Sequence, residues 1–309
     1  MQEPRGQELI NRYKQNYGIA SNAIVTESMI LKHWNLEKML AKDLLQSTSE
    51  NRWATFEQKY TLLYKELDWL NQLTATGHQE SPEVKYKDWL EIIGHKPQRI
   101  YEIGSGKGEM ISLLAKQGHT CIGTEITRER GQKYGGEHPN LSWKVTDGVH
   151  CEAFESATSY DVVISDQVIE HLHPDDICLH LSGVKNILAD EGRYLFRTPQ
   201  KHLGPWDVSR VFKHNTPQAM HLHEYTYTEL KKLAQEAGFQ SSKAVFRMPS
   251  KLQLILPMFK AVPSRRYMQY VCIMETFLNN VKEYSLRQRV AQLFGPLFFL
   301  PNIFMVAYK

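Results

Sequence analysis

Tyr101-Glu102-Ile103-Gly104-Ser105-Gly106-Lys107-Gly108-Glu109 is the stretch from which the fold is read. Arg99 to Ile103 reads as a short strand, and Glu109 to Lys116 reads as a helix. Between them the glycines fall in a G-x-G-x-G spacing. Residues without Cβ tolerate positive φ and let a backbone approach a ligand closely. The dinucleotide fingerprint is G-x-G-x-x-G, with its third glycine where the helix packs on the strand; here that place is held by Glu109. No lysine precedes a Ser or Thr as a triphosphate cradle requires. The acidic Glu102 ahead of the turn suits a cationic ligand better than a pyrophosphate.

Strands and turns follow in order. Thr120 to Glu125 reads as a second strand, and an acid at its end is placed to accept hydrogen bonds from two ribose hydroxyls. Leu141 to Val145 leads to the turn Asp147-Gly148. Tyr160 to Ser165 is an apolar run of the kind buried in parallel sheets, and it opens into the Asp166 to Pro174 loop. A helix to about Leu188, a turn at Asp190-Glu191-Gly192 and a strand from Arg193 to Arg197 complete the series.

Taken together these positions resemble class I S-adenosylmethionine-dependent methyltransferases. The resemblance implies a Rossmann-like, seven-stranded α/β sheet with helices on both faces and its last strand inserted antiparallel. It implies S-adenosylmethionine as cofactor, with Gly104 to Gly108 at the methionine moiety, Glu125 at the ribose and Asp147 at the adenine. Glu102, Ser105, Gly106, Ile126, Gly148, Asp166 and Gln167 complete the cofactor-binding set. The other reading is a Rossmann-like protein with a different ligand or none, because fold does not dictate function.

The 309 residues suffice for one large domain or two smaller ones. Hydrophobic content of 42% and charged content of 23% are ordinary for a globular protein. A net charge of +3 gives no argument for nucleic acid as a partner. Cys121, Cys151, Cys178 and Cys272 are scattered, without a C-x-x-C pair, which argues against a disulfide framework or a zinc site. Met1 to Arg12 carries no apolar signal segment, and no apolar run reaches the ~18 residues of a membrane span. The expected location is cytoplasmic.

Residues 1–96 read as a helical lid and substrate region, and 97–309 as the methyltransferase domain, with insertions at about 198–222 and 248–296. Trp53, Phe56, Tyr60, Leu63, Tyr64, Leu67 and Leu70 form one amphipathic helix of about five turns. Leu36, Met39, Leu40 and Leu44 make a weaker stripe. The chain breaks at Thr76-Gly77-His78, and a helix resumes from Lys85 to Ile93. Thr226 and Glu229 spell a capping box for a helix that stops at Gly238. Ser242 to Arg247 reads as the sixth strand, Tyr270, Met274, Phe277, Leu278 and Val281 as a helical stripe, and Asn302 to Tyr308 as the seventh strand.

In such sheets ligands bind at the carboxyl ends of the strands, so the chemistry should follow the fourth and fifth strands. Gln167, Glu170 and His171 lie at i, i+3 and i+4, which puts them on one face of a helical turn. This is similar to the E-x-x-E-H pattern of ubiquinone-biosynthesis O-methyltransferases and small-RNA terminal ribose methyltransferases. There two glutamates, that histidine and a later histidine help bind a divalent metal. The resemblance places Glu170, His171 and His221 in three of those roles, with magnesium as the candidate ion. Gln167 replaces the first glutamate and removes one anionic ligand from a hard-cation site. The bland alternative is a hydrogen-bonded turn at Glu170-His171, with His221 bracing its own loop. A neutral imidazole is otherwise the natural base near neutral pH, which makes His171 and His221 the catalytic candidates.

Trp206, Asp207, Arg210 and His223 are the candidate substrate residues, although Trp206 equally suits packing on the lid. His202 and His214 read as ordinary loop histidines. Apolar stretches at Leu252 to Phe259 and 293–300, beside the basic Lys260 to Arg266, suit a pocket roof, a homodimer contact or a membrane surface. The expected activity is O-methylation of a small-molecule acceptor in a biosynthetic pathway. Terminal ribose methylation of RNA and a non-catalytic cofactor-binding module are the alternatives.

Overall fold

In the computed structural model, residues 3–75, 80–247, 260–298 and 302–309 are described. They divide into two units, Met1–Ser81 with Gly204–Glu224, and Pro82–Leu203 with Tyr225–Lys309. This division differs from the sequence reading at both seams. Residues 82–96 belong with the sheet, and the insertion after the fifth strand belongs with the N-terminal helices.

The helical unit contains α1 (Gly6–Tyr17), α2 (Glu27–Leu45), α3 (Arg52–Glu66) and α4 (Asp68–Ala75). Thr26 caps α2 by accepting the Met29 amide at 3.3 Å. Leu9, Tyr13, Ile30 and Trp34 are buried together with Val208, Val211 and Phe212 from the later segment. Trp34 stacks on Phe212 with ring centroids 4.6 Å apart. That contact explains the assignment of the insertion: its apolar residues complete the core of the helices. The single helix expected over Trp53 to Leu70 is broken at Leu67, whose backbone (φ −104°, ψ 17°) leaves the helical region. Phe56, Tyr60 and Leu63 point inward as expected, whereas Trp53 is exposed.

The other unit begins with α5 (Pro82–Lys85) and α6 (Lys87–Ile93). Then come β1 (Arg99–Ile103), α7 (Glu109–Lys116), β2 (Thr120–Glu125), α8 (Gln132–Gly135), β3 (Leu141–Val145) and β4 (Tyr160–Asp166). They are followed by α9 (Ile177–Ile187), β5 (Leu188–Pro199), α10 (Tyr227–Glu236), β6 (Ser241–Phe246) and β7 (Val262–Ser264). The series ends with α11 (Arg265–Asn280), α12 (Tyr284–Phe298) and β8 (Asn302–Tyr308). The sheet order is β3-β2-β1-β4-β5-β8-β6-β7. β1 to β5 pair in parallel, and β8 lies antiparallel to both β5 and β6. The order reverses between β1 and β4, the switch point at which ligands bind in open α/β sheets.

Eight strands replace the seven expected, because Val262–Ser264 adds an antiparallel edge to β6. The turn expected at Asp190-Glu191-Gly192 lies inside β5. Leu188 pairs with Tyr160 and Arg193 with Val162, so the four intervening residues form an irregularity in the ladder. Side chains alternate across the sheet: Ile100, Val162 and Ile164 enter one core with Trp89 and Leu114. Tyr101, Ile103 and Val163 enter the other with Leu181 and Val184. The capping box is formed, with Thr226 and Glu229 each satisfying the other's amide.

The α11 stripe is borne out in part, with Tyr270 and Met274 half-buried against the core. Met268, Val271, Glu275 and Leu278 are buried, while Phe277 is exposed. An acid occupies the inward face, which apolar periodicity cannot register. All four cysteines are free thiols. No helix among the described residues is long and apolar enough to cross a membrane. Leu252 to Phe259 and the Thr76-Gly77-His78 break lie outside the described residues.

Candidate functional site

The ends of β1 and β2 carry the turn. Gly104, Gly106 and Gly108 all have positive φ, at 67°, 58° and 72°. At Gly106 a Cβ would meet nothing within 4 Å, so the middle of the turn faces open space. At Gly108 a Cβ would lie 2.5 Å from the indole of Trp143. Gly123 and Gly135 meet the same ring at 2.5 Å. Trp143 is therefore the post around which the turn, β2 and α8 close, and it donates from Nε1 to the Gly136 carbonyl at 3.2 Å. The sequence reading passed over this tryptophan; glycines at 108, 123, 131 and 135 around one aromatic were the available signal.

Ser105 extends the ladder. Its amide donates to the Thr124 carbonyl at 2.8 Å, and its hydroxyl accepts the Thr124 amide at 3.1 Å. Glu125 accepts the Gly106 amide at 2.5 Å and the Ile126 amide at 3.3 Å. Burial pushes its carboxyl up to about 7, against these amides and Arg130. Glu102 is 3% exposed, and its Oε2 has no hydrogen-bond partner. Burial raises this carboxyl to about 8, and the negative charges of Asp166 and Glu125 add to the rise. Asp166 is held by Arg197, Nε to Oδ1 at 2.7 Å and Nη2 to Oδ2 at 2.5 Å. In the sequence Arg197 shows only as a strand end.

At Asp147, Oδ1 accepts the amides of Val149 and His150 at 2.9 Å each, and Oδ2 meets His150 Nδ1 at 2.6 Å. Hydrogen bonding to that carboxylate raises the His150 imidazole. A carboxylate has about four lone-pair sites, so Oδ2 keeps acceptor capacity for an amino group.

The loop after β4 departs from the helical reading. Gln167 sits in the left-handed region (φ 58°), and its amide donates to the Arg197 carbonyl at 2.8 Å. A non-glycine residue held there stores backbone strain, a feature that clusters at functional sites. The helical turn begins only at Ile169 and ends at His171, so Gln167 does not share its face. Glu170 is fully buried and accepts from Thr198 Oγ1 at 2.9 Å.

Within the helical unit, Glu224 organises the insertion. Its Oε1 accepts the Trp206 amide at 2.6 Å and meets His221 Nδ1 at 2.8 Å. It is 3% exposed. Burial lowers the His221 imidazole, against the pull of Asp207 and Glu37. Asp207 braces its own loop, Oδ1 accepting the Ser209 amide and Oδ2 the Ala219 amide, each at 3.0 Å. The Arg210 guanidinium lies 4.6 Å from the Trp206 ring centroid. His223 is half-buried and His214 meets Glu3 Oε1 at 3.1 Å, while His202, in the sheet unit, is buried. One buried hydrogen-bonded set in this unit has no sequence signal: Tyr13 Oη lies 2.6 Å from His33 Nδ1, and His33 Nε2 lies 2.7 Å from Glu37 Oε1. No motif marks it, since its members lie on two different helices.

Comparison with known proteins bears on this arrangement. A family model for a methyltransferase domain matches residues 68–243. No curated protein is matched by the sequence. Among solved structures, an S-adenosylmethionine-dependent methyltransferase from Archaeoglobus fulgidus is 17% identical. The match covers 81% of this chain and 99% of that one, with a TM-score of 0.51. The 1,6-didemethyltoxoflavin-N1-methyltransferase of Burkholderia thailandensis, solved with bound 1,6-didemethyltoxoflavin and S-adenosylhomocysteine, is 14% identical over 85% of this chain and 91% of that one (TM-score 0.51). A phosphoethanolamine N-methyltransferase from Haemonchus contortus is 18% identical over 85% and 61% (TM-score 0.50). At these identities the structural likeness concerns the fold.

Proposed function

The chain belongs to the methyltransferase-domain family of class I, S-adenosylmethionine-dependent enzymes, and we propose that it methylates a hydroxyl group of a small molecule. The observation that carries the cofactor part is the acidic lining of the switch point. Glu102 is buried with an unpartnered oxygen beside the charges of Glu125 and Asp166. Buried carboxylates need a partner, and a cationic amino acid moiety is the partner this chemistry fits. In this reading Glu102 and the Gly104 to Gly108 backbone hold the methionine end. Glu125 and Ile126 take the ribose, Asp147 and Gly148 the adenine, and Asp166 and Gln167 close the turn.

When bound, S-adenosylmethionine supplies a methyl group on a cationic sulfonium. The chain must then align the acceptor, exclude water and take up the hydroxyl proton. His171 and His221 are the proposed bases. Glu224 supports the case for His221: a carboxylate on Nδ1 fixes that nitrogen as the donor and leaves Nε2 as the basic one. Trp206, Arg210 and His223 are the proposed acceptor contacts, with Asp207 shaping their loop. The sequence pattern also offers Glu170, His171 and His221 to a divalent ion. Activity lost to chelator and restored by magnesium supports that role, and indifference to chelator removes it.

The test is methyl transfer from isotopically labelled cofactor to a pool of small metabolites, read by mass spectrometry. A labelled O-methyl product is expected. Label on nitrogen overturns the hydroxyl assignment, and label in RNA transfers the activity to ribose. Cofactor binding without transfer to any acceptor leaves a binding module.

A further inference from the structure

A buried chain of hydrogen bonds joins the loop after β3 to the end of β4. His180 Nδ1 on α9 lies 2.6 Å from the Gly148 carbonyl oxygen. Its Nε2 lies 2.9 Å from the Tyr194 hydroxyl on β5, which in turn lies 2.6 Å from Ser165 Oγ on β4. His180, Tyr194 and Ser165 are all fully buried. The order of donors is forced. A carbonyl only accepts, so Nδ1 carries the proton; a neutral ring then accepts at Nε2. Tyr194 must therefore donate to His180 and accept from Ser165. Burial pushes the His180 imidazole down to about 4, which keeps it neutral.

The far end of this chain grips one peptide unit. The carbonyl of Gly148 and the amide of Val149 belong to the same plane. His180 holds its oxygen at 2.6 Å, and Asp147 Oδ1 accepts from its nitrogen at 2.9 Å. Rotation of that plane would move the Asp147 carboxylate with it. The orientation of the acid is thus set from the sheet interior, through fully buried side chains.

We propose that His180, backed by Tyr194 and Ser165, is the positioning residue that aims Asp147 at the purine 6-amino group and so makes the site selective for adenine. This rests on the adenine assignment to Asp147 and Gly148 made above. It adds the part of the fold that enforces the selection.

The experiment compares binding of S-adenosylhomocysteine with S-inosylhomocysteine, in which an oxygen replaces the amino group, by calorimetry. Wild-type protein should prefer the adenosyl ligand by about thirtyfold, the scale of one hydrogen bond to a charged acceptor. His180→Leu and Tyr194→Phe should each reduce the preference to about threefold or less, by weakening the adenosyl ligand and sparing the inosyl one. His180→Gln, whose amide can donate to Gly148 and accept from Tyr194, should recover most of it. A general loss of stability lowers both affinities together and leaves the ratio unchanged. A folded Tyr194→Phe protein with wild-type preference overturns the proposal, as does failure of His180→Gln to recover it when both other variants lose it. If wild-type protein binds neither ligand, the cofactor assignment falls and takes the proposal with it. Equal binding of both ligands by wild-type protein overturns the selectivity alone.

Discussion

Glu102 and Glu275 are both buried carboxylates in the same unit, and their surroundings differ in kind. Glu275 on α11 accepts from Gln200 Nε2 at 3.0 Å, from the Tyr227 and Thr228 amides at 2.7 and 2.8 Å, and from Thr228 Oγ1 at 2.7 Å. Those amides open α10, where the orphan N–H groups and the positive end of the helix dipole favour an anion. Burial raises both carboxyls, but four donors from its own fold oppose the rise at Glu275. At Glu102 a serine and one backbone amide oppose it, and two neighbouring acids add to it. One acid is satisfied by folding. The other is left with an oxygen that folding does not use, at the place where this family of sheets binds its ligand.

The contrast can be broken from either side. Glu275→Ala removes the acceptor of two helix-start amides and two side-chain donors, which should cost about 3 kcal/mol or more of stability. Measured below the lowered Tm, its affinity for S-adenosylhomocysteine should match wild type; a specific loss of affinity would make Glu275 part of the site. Gly106→Arg attacks the opposite side. It places a bulky cation on a backbone with φ 58° that faces open space. Affinity should fall by about a hundredfold or more, near 3 kcal/mol, with a smaller change in Tm. Unchanged affinity would sink the assignment of the glycine turn. Glu102→Gln is subtler. It should weaken the same ligand about tenfold and raise the Tm of the ligand-free protein at pH 8, where a buried charge has been removed. A lowered Tm with intact affinity would put Glu102 in the same class as Glu275.

How far each acid could be read beforehand follows from what sequence periodicity records. β1, α7, β2, β3 and β8 have the boundaries their residues announce, because glycines and acids punctuate short apolar runs there. Glu102 stands inside that punctuation and was legible as a site residue. Glu275 was not: it occupies the inward face of α11, where apolar spacing predicts a hydrophobe. The same limit hid His180, Tyr194 and Glu224, whose partners are brought together only by the sheet or by loop closure. Phe212 and Val211 were legible as apolar, yet nothing local says that they complete the core of the N-terminal helices. Local pattern reports what a segment is; it does not report what the segment meets.

The smallest effect is the pH dependence, and it separates the two acids without mutation of the turn. Glu102 and Glu125 have carboxyls raised to about 8 and about 7 in the ligand-free fold, from an ordinary value of 4.5. The folded state therefore binds protons that the unfolded chain has already released. The resulting stabilisation is full below about pH 4.5 and is lost as pH rises through 7 and 8. The Tm of ligand-free protein should decline across that window. A cationic ligand favours the ionised carboxylates and lowers their pKa, so it stabilises most where the free protein stabilises least. Affinity for S-adenosylhomocysteine should rise between pH 6 and 7.5, by at most about tenfold per pH unit for each proton released. The window stops at about 7.5, below the range in which the ligand's own α-ammonium loses its charge. Calorimetry in buffers of different ionisation enthalpy counts the protons directly. Glu102→Gln should remove a share of that release, and Glu275→Gln should leave it unchanged. Binding that is flat in pH and releases no protons would mean that Glu102 faces something other than the cationic end of the ligand.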